Sequence, residues 1–130
     1  MKNIVFICIH NSCRSQIAEY FGKKYLGDIY NVYSAGSEIK SEINKDAVRI
    51  IKQLYNDDIS LSQHPKTINE IPEPDIIISM GCYNGCPYLN KDFTADWQIE
   101  DPTGKNDFEF IKIINQIKEK VLQLKNIQYL

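Results

Sequence analysis

The fold is decided by the stretch Ile4-Val5-Phe6-Ile7-Cys8-Ile9-His10-Asn11-Ser12-Cys13-Arg14-Ser15. Its first six residues form a continuous apolar run, which is typical of a parallel strand that is covered on both faces. A short polar loop from His10 to Arg14 follows. A helical pattern follows the loop in the sequence, and its apolar residues on one face are Ile17, Ala18, Phe21 and Tyr25. A strand, a short loop and a helix in this order predict one unit of an α/β sheet.

The rest of the chain repeats this alternation. A second strand is predicted from Tyr30 to Ala35, a third from Asp75 to Met80, and a short fourth one within Phe93 to Ile99. Asn44 suits the N-cap of a second helix, whose apolar positions are Ala47, Ile50, Ile51 and Leu54. A last amphipathic helix is marked by Phe110, Ile114, Ile117, Val121 and Leu124. We predict an α/β fold with a parallel sheet, in a single domain over residues 1–130.

The composition excludes several classes of function. Apolar residues make up 43% and charged residues 25%, which is the balance of a globular protein. The net charge of −2 argues against a general nucleic-acid binder, which carries a basic face. No apolar run approaches the roughly 20 residues that span a bilayer, and the first residues lack a signal-peptide pattern. We expect a cytoplasmic monomer that binds neither nucleic acid nor membranes.

The chain has four cysteines, Cys8, Cys13, Cys82 and Cys86. Structural disulfides are uncommon in the cytoplasm, so these cysteines indicate metal binding, redox chemistry or catalysis. A zinc site built from all four is one alternative, because their spacings are tolerable for zinc. It would leave Arg14 beside a negatively charged metal centre without a function. We therefore expect no bound metal.

Cys8 lies where the first strand ends, and Arg14 lies where the helix begins. Ligands of open α/β sheets bind at the carboxyl ends of the strands, and a helix N-terminus offers free N–H groups to an anion. The helix dipole, the guanidinium and the loop N–H groups all favour a thiolate, and Arg14 can bind two oxygens of a tetrahedral oxyanion at once. We predict Cys8 as a nucleophile in an oxyanion-binding loop formed by Ile9, His10, Asn11, Ser12, Cys13 and Arg14.

Four residues in and beside this loop have two interpretations each. Ser15 could donate its hydroxyl to the thiolate, or it is an ordinary first-turn residue of the helix. Asn11 suits a left-handed conformation that curls the loop around an anion, as an ordinary turn asparagine also would. His10 adds positive charge or is a solvated loop residue. Cys13 is an accessory thiol or packs within the loop.

The segment from Cys8 to Gln16 resembles the phosphate-binding loop of low-molecular-weight protein tyrosine phosphatases and thioredoxin-linked arsenate reductases. Asn11-Ser12-Cys13-Arg14-Ser15-Gln16 is most similar to the reductase version, and the resemblance extends over nearly the whole chain, including Tyr33-Ser34-Ala35-Gly36. It implies a three-layer flavodoxin-like sandwich with a four-stranded parallel sheet and helices on both faces. It also implies an arsenate reductase that binds arsenate, or phosphate as its analogue, and attacks arsenate with Cys8.

A reductase, unlike a phosphatase, needs a place for two electrons. Met80-Gly81-Cys82-Tyr83-Asn84-Gly85-Cys86-Pro87 follows the third strand at the sheet edge of Cys8, and its glycines allow the approach that thiol–disulfide exchange requires. The segment resembles that of a subgroup of arsenate reductases, although better-studied members have a longer spacing. The resemblance implies that Cys82 attacks Cys8, that Cys86 then attacks Cys82, and that thioredoxin or a similar thiol reductant, with no bound cofactor, reduces the pair. The alternatives are an inert pair in a tyrosine phosphatase and a non-enzymatic sensor of zinc or arsenite.

Asp101-Pro102 matches an Asp-Pro pair that both families place over the anion site. The match implies that Asp101 is the general acid that protonates the leaving oxygen. Glu100 is the rival carboxylate, and a solvated acidic turn is the alternative without a catalytic role. The phosphatases carry aromatic residues after this pair, whereas Thr103-Gly104-Lys105 follows here, which favours a small inorganic oxyanion.

Some members of the family bind potassium through an Asn, a Glu, a Ser and an Asp. Asn11, Glu19 and Ser34 match the first three positions, whereas the fourth falls near Lys66. A lysine ammonium at that place would replace the ion. We therefore predict that the chain has no potassium site.

Overall fold

The computed structural model has a central sheet of four parallel strands. It describes residues 1–81 and 93–127. The strands are β1 (Lys2–Ile7), β2 (Tyr30–Ala35), β3 (Ile76–Ser79) and β4 (Ala95–Asp96). The α-helices in these ranges are α1 (Arg14–Leu26), α2 (Lys45–Tyr55) and α3 (Asp107–Gln123). One-turn 3-10 helices cover Ile59–Leu61, Ile68–Glu70 and Leu124–Asn126. No helix within the described ranges is long and apolar enough to cross a membrane.

The order of the strands places the loops that follow β1 and β3 at a crevice. The strands are arranged β2-β1-β3-β4, and all neighbouring pairs are parallel. The chain leaves β1 toward β2 on one side and later returns to β3 on the other side. Loops that diverge in this way open a binding crevice at the carboxyl ends of the two strands. Cys8 and Met80 are the first residues beyond these strands, so the loop that contains Cys8 begins in the crevice.

The strands are apolar throughout because both faces of the sheet are covered. Ile4 and Phe6 of β1 belong to the larger core, to which α1, α2 and α3 all contribute buried residues. Val5 and Ile7 point to the opposite face, where they join Ala35 and Ile77. Within the described ranges, the partly buried side chains packed against this second face are Tyr33 of β2 and, from the segment before β3, Ile68 and Ile71. The predicted layers are therefore present, and the helix described on the second face is the one-turn helix Ile68–Glu70.

Most predicted elements are confirmed, with differences at their ends. β1 ends at Ile7, so Cys8 and Ile9 belong to the loop and not to the strand. The fourth strand is only Ala95–Asp96, within the predicted range. Asn44 does cap α2, because its side-chain oxygen accepts hydrogen bonds from the N–H groups of residues 46 and 47. Leu54 shares the helical spacing of Ala47, Ile50 and Ile51, but it is 45% exposed in the last turn of α2, whereas those three residues are buried.

The end of β2 comes so close to the loop after β1 that only glycine fits at position 36. A Cβ atom on Gly36 would lie 2.7 Å from the carbonyl oxygen of Ile9 and 2.9 Å from that of Cys8. Both neighbours are backbone atoms of the predicted oxyanion loop, which cannot move without changing the loop. The glycine therefore sets the distance between β2 and this loop.

We expect Gly36→Ala to lower the free energy of unfolding by about 1–3 kcal/mol, because the added methyl group would push the backbone carbonyls of Cys8 and Ile9 away from β2. Urea denaturation measures this difference. Ser41→Ala is the control, since Ser41 is exposed in the connection that follows, and it should change stability by less than about 0.5 kcal/mol. Equal stabilities of Gly36→Ala and the wild type would contradict the close approach.

Candidate active site

The loop between β1 and α1 turns its carbonyl groups outward. Each carbonyl from residue 9 to residue 13 accepts a hydrogen bond from a group outside these five residues; the donors are the backbone N–H groups of Ser37, Glu38, Lys40, Asn44 and Ile17 and the side chain of Gln16. Because a trans peptide unit holds its N–H group opposite its carbonyl group, the N–H groups of residues 10–14 face the other way. They converge on the inside of the loop, where an anion would bind.

The inside of the loop is a small cavity of about 190 Å³. Cys8 lies in its wall, and the described residues that line it are Cys8, Ile9, His10, Ser12, Cys13, Arg14, Lys40, Asp101 and Thr103. The structure thus brings together the predicted nucleophile, arginine and acid. Asn11 does not line the cavity with its side chain, which is fully buried behind the loop. Cys82 and Cys86 lie outside the described residues.

Arg14 is held in place by two backbone carbonyl groups. Its Nη1 atom donates to the carbonyl oxygen of Met80 at 3.1 Å and to that of Ile99 at 2.7 Å. A guanidinium has five N–H groups, so these two contacts use the protons of one nitrogen and orient the others. The side chain lines the cavity, where its remaining donors suit two oxygens of an oxyanion. The same contacts join the loop to the residues just before Gly81 and Asp101.

Ser15 connects Cys8 to the buried side of the loop. Its hydroxyl oxygen lies 2.8 Å from the sulfur of Cys8 and 2.8 Å from the Nδ2 atom of Asn11. An amide nitrogen can only donate, so Ser15 accepts from Asn11 and has its own proton left for Cys8. A thiolate has no proton to give, so with Cys8 ionised Ser15 is the donor, which is the arrangement that stabilises a thiolate.

Asn11 sets the direction of this chain of hydrogen bonds. Its φ angle of 48° confirms the predicted left-handed conformation. Its Oδ1 atom accepts from the backbone N–H of Lys66 at 2.9 Å and from the Nε2 atom of Gln16 at 3.1 Å. Because two donors face Oδ1, the Nδ2 end of the amide must face Ser15.

Asp101 lies at the mouth of the cavity and is bonded to Thr103. The backbone N–H and the hydroxyl of Thr103 donate to its Oδ1 atom at 3.0 and 2.7 Å. Partial desolvation raises the pKa of Asp101, but these hydrogen bonds and the charges of Arg14 and Lys40 outweigh it and hold the pKa below its ordinary value. Asp101 is therefore a carboxylate in the free protein at neutral pH.

The contacts of Cys13 and His10 are those of residues that stabilise the loop. Cys13 packs in the larger core, and burial, followed by the negative charges of Asp101 and Cys8, raises its pKa far above the ordinary value. Cys13 is thus a neutral thiol, which is a poor nucleophile. The Nδ1 atom of His10 lies 2.8 Å from the carbonyl oxygen of Glu38. Since a carbonyl oxygen only accepts, Nδ1 carries a proton and ties the loop to the connection after β2.

Sequence reasoning missed two residues of the site. Lys40 lines the cavity and places a second positive charge beside Asp101. Gln63 is buried and donates to both the backbone and the side-chain oxygen of Gln16. Neither residue belongs to a local motif, and only the packing of distant segments brings them to the loop.

Glu19 and Ser34, which match potassium-binding positions of other family members, lie together with Lys66. The Nζ atom of Lys66 is 2.8 Å from Glu19 Oε1 and 3.3 Å from Ser34 Oγ. The lysine ammonium thus stands among the matched side chains, and the lack of a potassium site stays a prediction. The zinc alternative depends on Cys82 and Cys86. Among residues 1–81 and 93–127 there is no group of three or more His, Cys, Asp or Glu side chains that could hold a metal.

A strand-loop-helix unit with a cysteine and an arginine around an inward ring of N–H groups is the arrangement that a cysteine-dependent, oxyanion-binding site requires. Residues 3–85 match the family model described as low molecular weight phosphotyrosine protein phosphatase, and the chain belongs to this family. Within the family it is similar to curated arsenate reductases. Arsenate reductase 1 of Staphylococcus epidermidis is 40% identical over 127 residues, which cover 92% of each chain.

Solved structures agree with this relationship. An arsenate reductase in the phosphate-binding state has a TM-score of 0.80 and 33% identity, over 95% of this chain and 96% of the other. A thioredoxin-dependent arsenate reductase of Corynebacterium glutamicum has a TM-score of 0.72 and 28% identity, over 97% of this chain and 61% of the other. The fold and the loop therefore group the chain with the arsenate reductases of the family.

We expect Ser15→Ala to slow the alkylation of Cys8 by iodoacetamide about tenfold or more at pH 7, because the thiolate loses a hydrogen bond from a neutral donor. Alkylation is followed by mass spectrometry of the peptide that contains Cys8. Ser41→Ala serves as the control with an exposed serine. Alkylation of Ser15→Ala at the wild-type rate would show that the hydroxyl does not stabilise the thiolate.

We expect Thr103→Val to raise the pKa of Asp101, because the valine cannot donate the side-chain hydrogen bond. The bond stabilises the carboxylate form, so its contribution to stability is full above the ordinary pKa of 3.8 and is lost as the pH falls below it. Unfolding free energies of wild type and variant, measured across acidic pH, should converge at low pH. A difference that is independent of pH would contradict the role of Thr103.

Proposed function

We propose that this chain reduces arsenate to arsenite, with Cys8 as the nucleophile and Cys82 and Cys86 as an internal thiol relay. One observation carries the proposal: the Ser15 hydroxyl, which accepts from Asn11 and keeps its own proton, lies 2.8 Å from the sulfur of Cys8 at the wall of a cavity toward which the loop N–H groups point. A thiolate so placed lies beside the position of a bound oxyanion. The grouping of the chain with arsenate reductases supports arsenate as the substrate.

In the first step arsenate binds in the cavity and forms a covalent bond to Cys8. The N–H groups of residues 10–14 and the guanidinium of Arg14 hold its oxygens. The sulfur attacks arsenic, an S–As bond forms, and one oxygen leaves as water. Asp101 donates a proton to this oxygen, because the charge of the bound anion raises the pKa of the nearby carboxylate before the reaction.

In the second step two electrons pass from the thiols to arsenic. Cys82 attacks the sulfur of Cys8, a disulfide forms, and the electron pair of the S–As bond goes to arsenic, which leaves as arsenite. Cys86 then attacks Cys82, so that Cys8 returns to the thiolate and a Cys82–Cys86 disulfide remains. This relay rests on the sequence and the family relationship, since both residues lie outside the described ranges.

The second disulfide needs an external dithiol, which supplies two electrons and two protons. We propose a thioredoxin-type protein in the cytoplasm, and the thioredoxin-dependent relative supports this choice. The chain then needs no bound cofactor, because thiol–disulfide exchange carries all the electrons.

A phosphatase that uses Cys8, Arg14 and Asp101 is the second candidate, and the family model supports it. It would transfer a phosphoryl group to Cys8 and then to water. Two observations disfavour it. Thr103 follows Asp101-Pro102 where an aryl ester would need an aromatic partner, and its hydroxyl is engaged with Asp101. The cavity of about 190 Å³ suits an inorganic oxyanion.

The test is the production of arsenite from arsenate with thioredoxin, thioredoxin reductase and NADPH. We expect turnover by the wild type and none by Cys8→Ser, Cys82→Ser or Cys86→Ser, whereas Cys13→Ser keeps most of its activity because Cys13 is a neutral thiol. If the wild type makes no arsenite but hydrolyses an aryl phosphate, and Cys82→Ser and Cys86→Ser do so equally well, the phosphatase replaces the reductase.

A further inference from the structure

A lysine ammonium is buried directly behind the oxyanion loop. Lys66 is 8% exposed, and its Nζ atom contacts Glu19 Oε1 at 2.8 Å, Ser34 Oγ at 3.3 Å and the carbonyl oxygen of His64 at 3.3 Å. Burying a charge is costly unless it is paired and hydrogen-bonded. Three oxygens around one ammonium meet that condition, so the lysine is held firmly at this place.

Glu19 is the anionic partner of this lysine. Burial raises the pKa of Glu19, but the charge of Lys66 and hydrogen bonds from Lys23, Lys66 and Ser34 outweigh it, so its pKa lies below the ordinary value. Glu19 is therefore a carboxylate at neutral pH. Lys23 also pairs with it at 2.6 Å, but its side chain is 46% exposed. Only Lys66 carries the pairing into the interior.

The backbone of Lys66 links this ion pair to the loop. Its N–H group donates to Oδ1 of Asn11 at 2.9 Å, and its carbonyl oxygen accepts from the N–H group of Gly36 at 3.0 Å. Residues 63–66 belong to no helix or strand, so no regular hydrogen-bond ladder fixes them. The side chain of Lys66 adds a buried ionic anchor to these two backbone hydrogen bonds.

We propose that Lys66 is a positioning residue for Cys8, because it fixes the direction of the hydrogen bonds that end on the thiolate. With the Lys66 N–H in place, Oδ1 of Asn11 faces away from Ser15 and Nδ2 faces toward it. If the amide turned over, the Ser15 hydroxyl would donate to Oδ1 and would no longer donate to Cys8. The proposal rests on Cys8 being the nucleophile of the proposed function.

Gln16 does not replace this anchor. Its Nε2 atom also donates to Oδ1 of Asn11, but the same atom contacts the carbonyl oxygen of His64 at 3.0 Å. That carbonyl is itself a partner of the Lys66 ammonium. Loss of the ammonium therefore loosens both donors that set the orientation of Asn11.

The experiment compares three substitutions in the full-length chain. Lys66→Ala removes the ammonium and leaves a space that propylammonium can fill, Lys66→Met fills the space without charge, and Lys66→Arg keeps the charge. The rate of iodoacetamide alkylation of Cys8 is measured across pH by peptide mass spectrometry, with thermal unfolding measured in parallel. The other titratable groups that line the cavity, His10, Cys13, Arg14, Lys40 and Asp101, are the same in every variant.

We expect Lys66→Ala and Lys66→Met to alkylate about tenfold more slowly at pH 7 and the midpoint of the pH profile to rise by about one unit. Propylammonium should restore the rate of Lys66→Ala but not that of Lys66→Met, and Lys66→Arg should lie closest to the wild type. Lys23→Met is the matched control, since Lys23 also pairs with Glu19 but does not contact Asn11, and its rate should stay within about twofold.

A purely structural role gives a different result. Folded Lys66→Ala and Lys66→Met with a lower melting temperature but the wild-type pH profile, and no rescue by propylammonium, would overturn the proposal. Alkylation needs no arsenate, so this outcome is separate from a failure of the proposed function. That failure would appear in the thioredoxin assay, as a wild type that makes no arsenite or as arsenate reduction by Cys8→Ser.

Discussion

Turning the peptide N–H groups of residues 10–14 inward is the constraint on which the rest of the structure depends. A loop can do this only if every opposed carbonyl group finds a donor elsewhere, because a buried unpaired carbonyl is costly. The donors come from the first turn of α1 and from the connection between β2 and α2. Asn44 shows how closely the elements are joined, since its N–H group donates to Ser12 at 2.7 Å while its side chain caps α2. The anion cavity and the start of α2 are thus parts of one arrangement.

The electrostatics of the site follow from the same arrangement. Cys8 lies in the wall of the cavity toward which the loop N–H groups point, and the hydrogen-bonded side chains of Asn11 and Ser15 reach its sulfur from the interior. Arg14 closes the ring and, through Met80 and Ile99, holds the two segments that precede Cys82 and Asp101. An anion bound at Arg14 would therefore act on both segments through direct contacts. This suits a reaction in which an acid and a second thiol must act on one bound oxyanion.

The sequence was most informative where a residue's role is local. The apolar run of β1 predicted a doubly covered strand, Asn44 predicted a cap, and the spacing of Cys8 and Arg14 predicted the loop, because each depends on neighbours in the chain. The exposure of Leu54 could not be predicted, because helical spacing alone does not show which element covers the last turn. Lys40 and Gln63 could not be found at all, since they reach the loop only through tertiary packing. The ionisation of Asp101 also depends on Thr103 and on distant charges, which no motif encodes.

Trapping the disulfide that forms when arsenate is reduced tests directly whether Cys8 and Cys82 act together. Cys86→Ser protein is incubated with arsenate in the absence of an external reductant, quenched in acid, alkylated and analysed by peptide mass spectrometry. We expect stoichiometric arsenite together with a Cys8–Cys82 disulfide, since the relay stops before its last exchange. Arsenite formed while Cys8 is recovered as a free, alkylated thiol would contradict this relay.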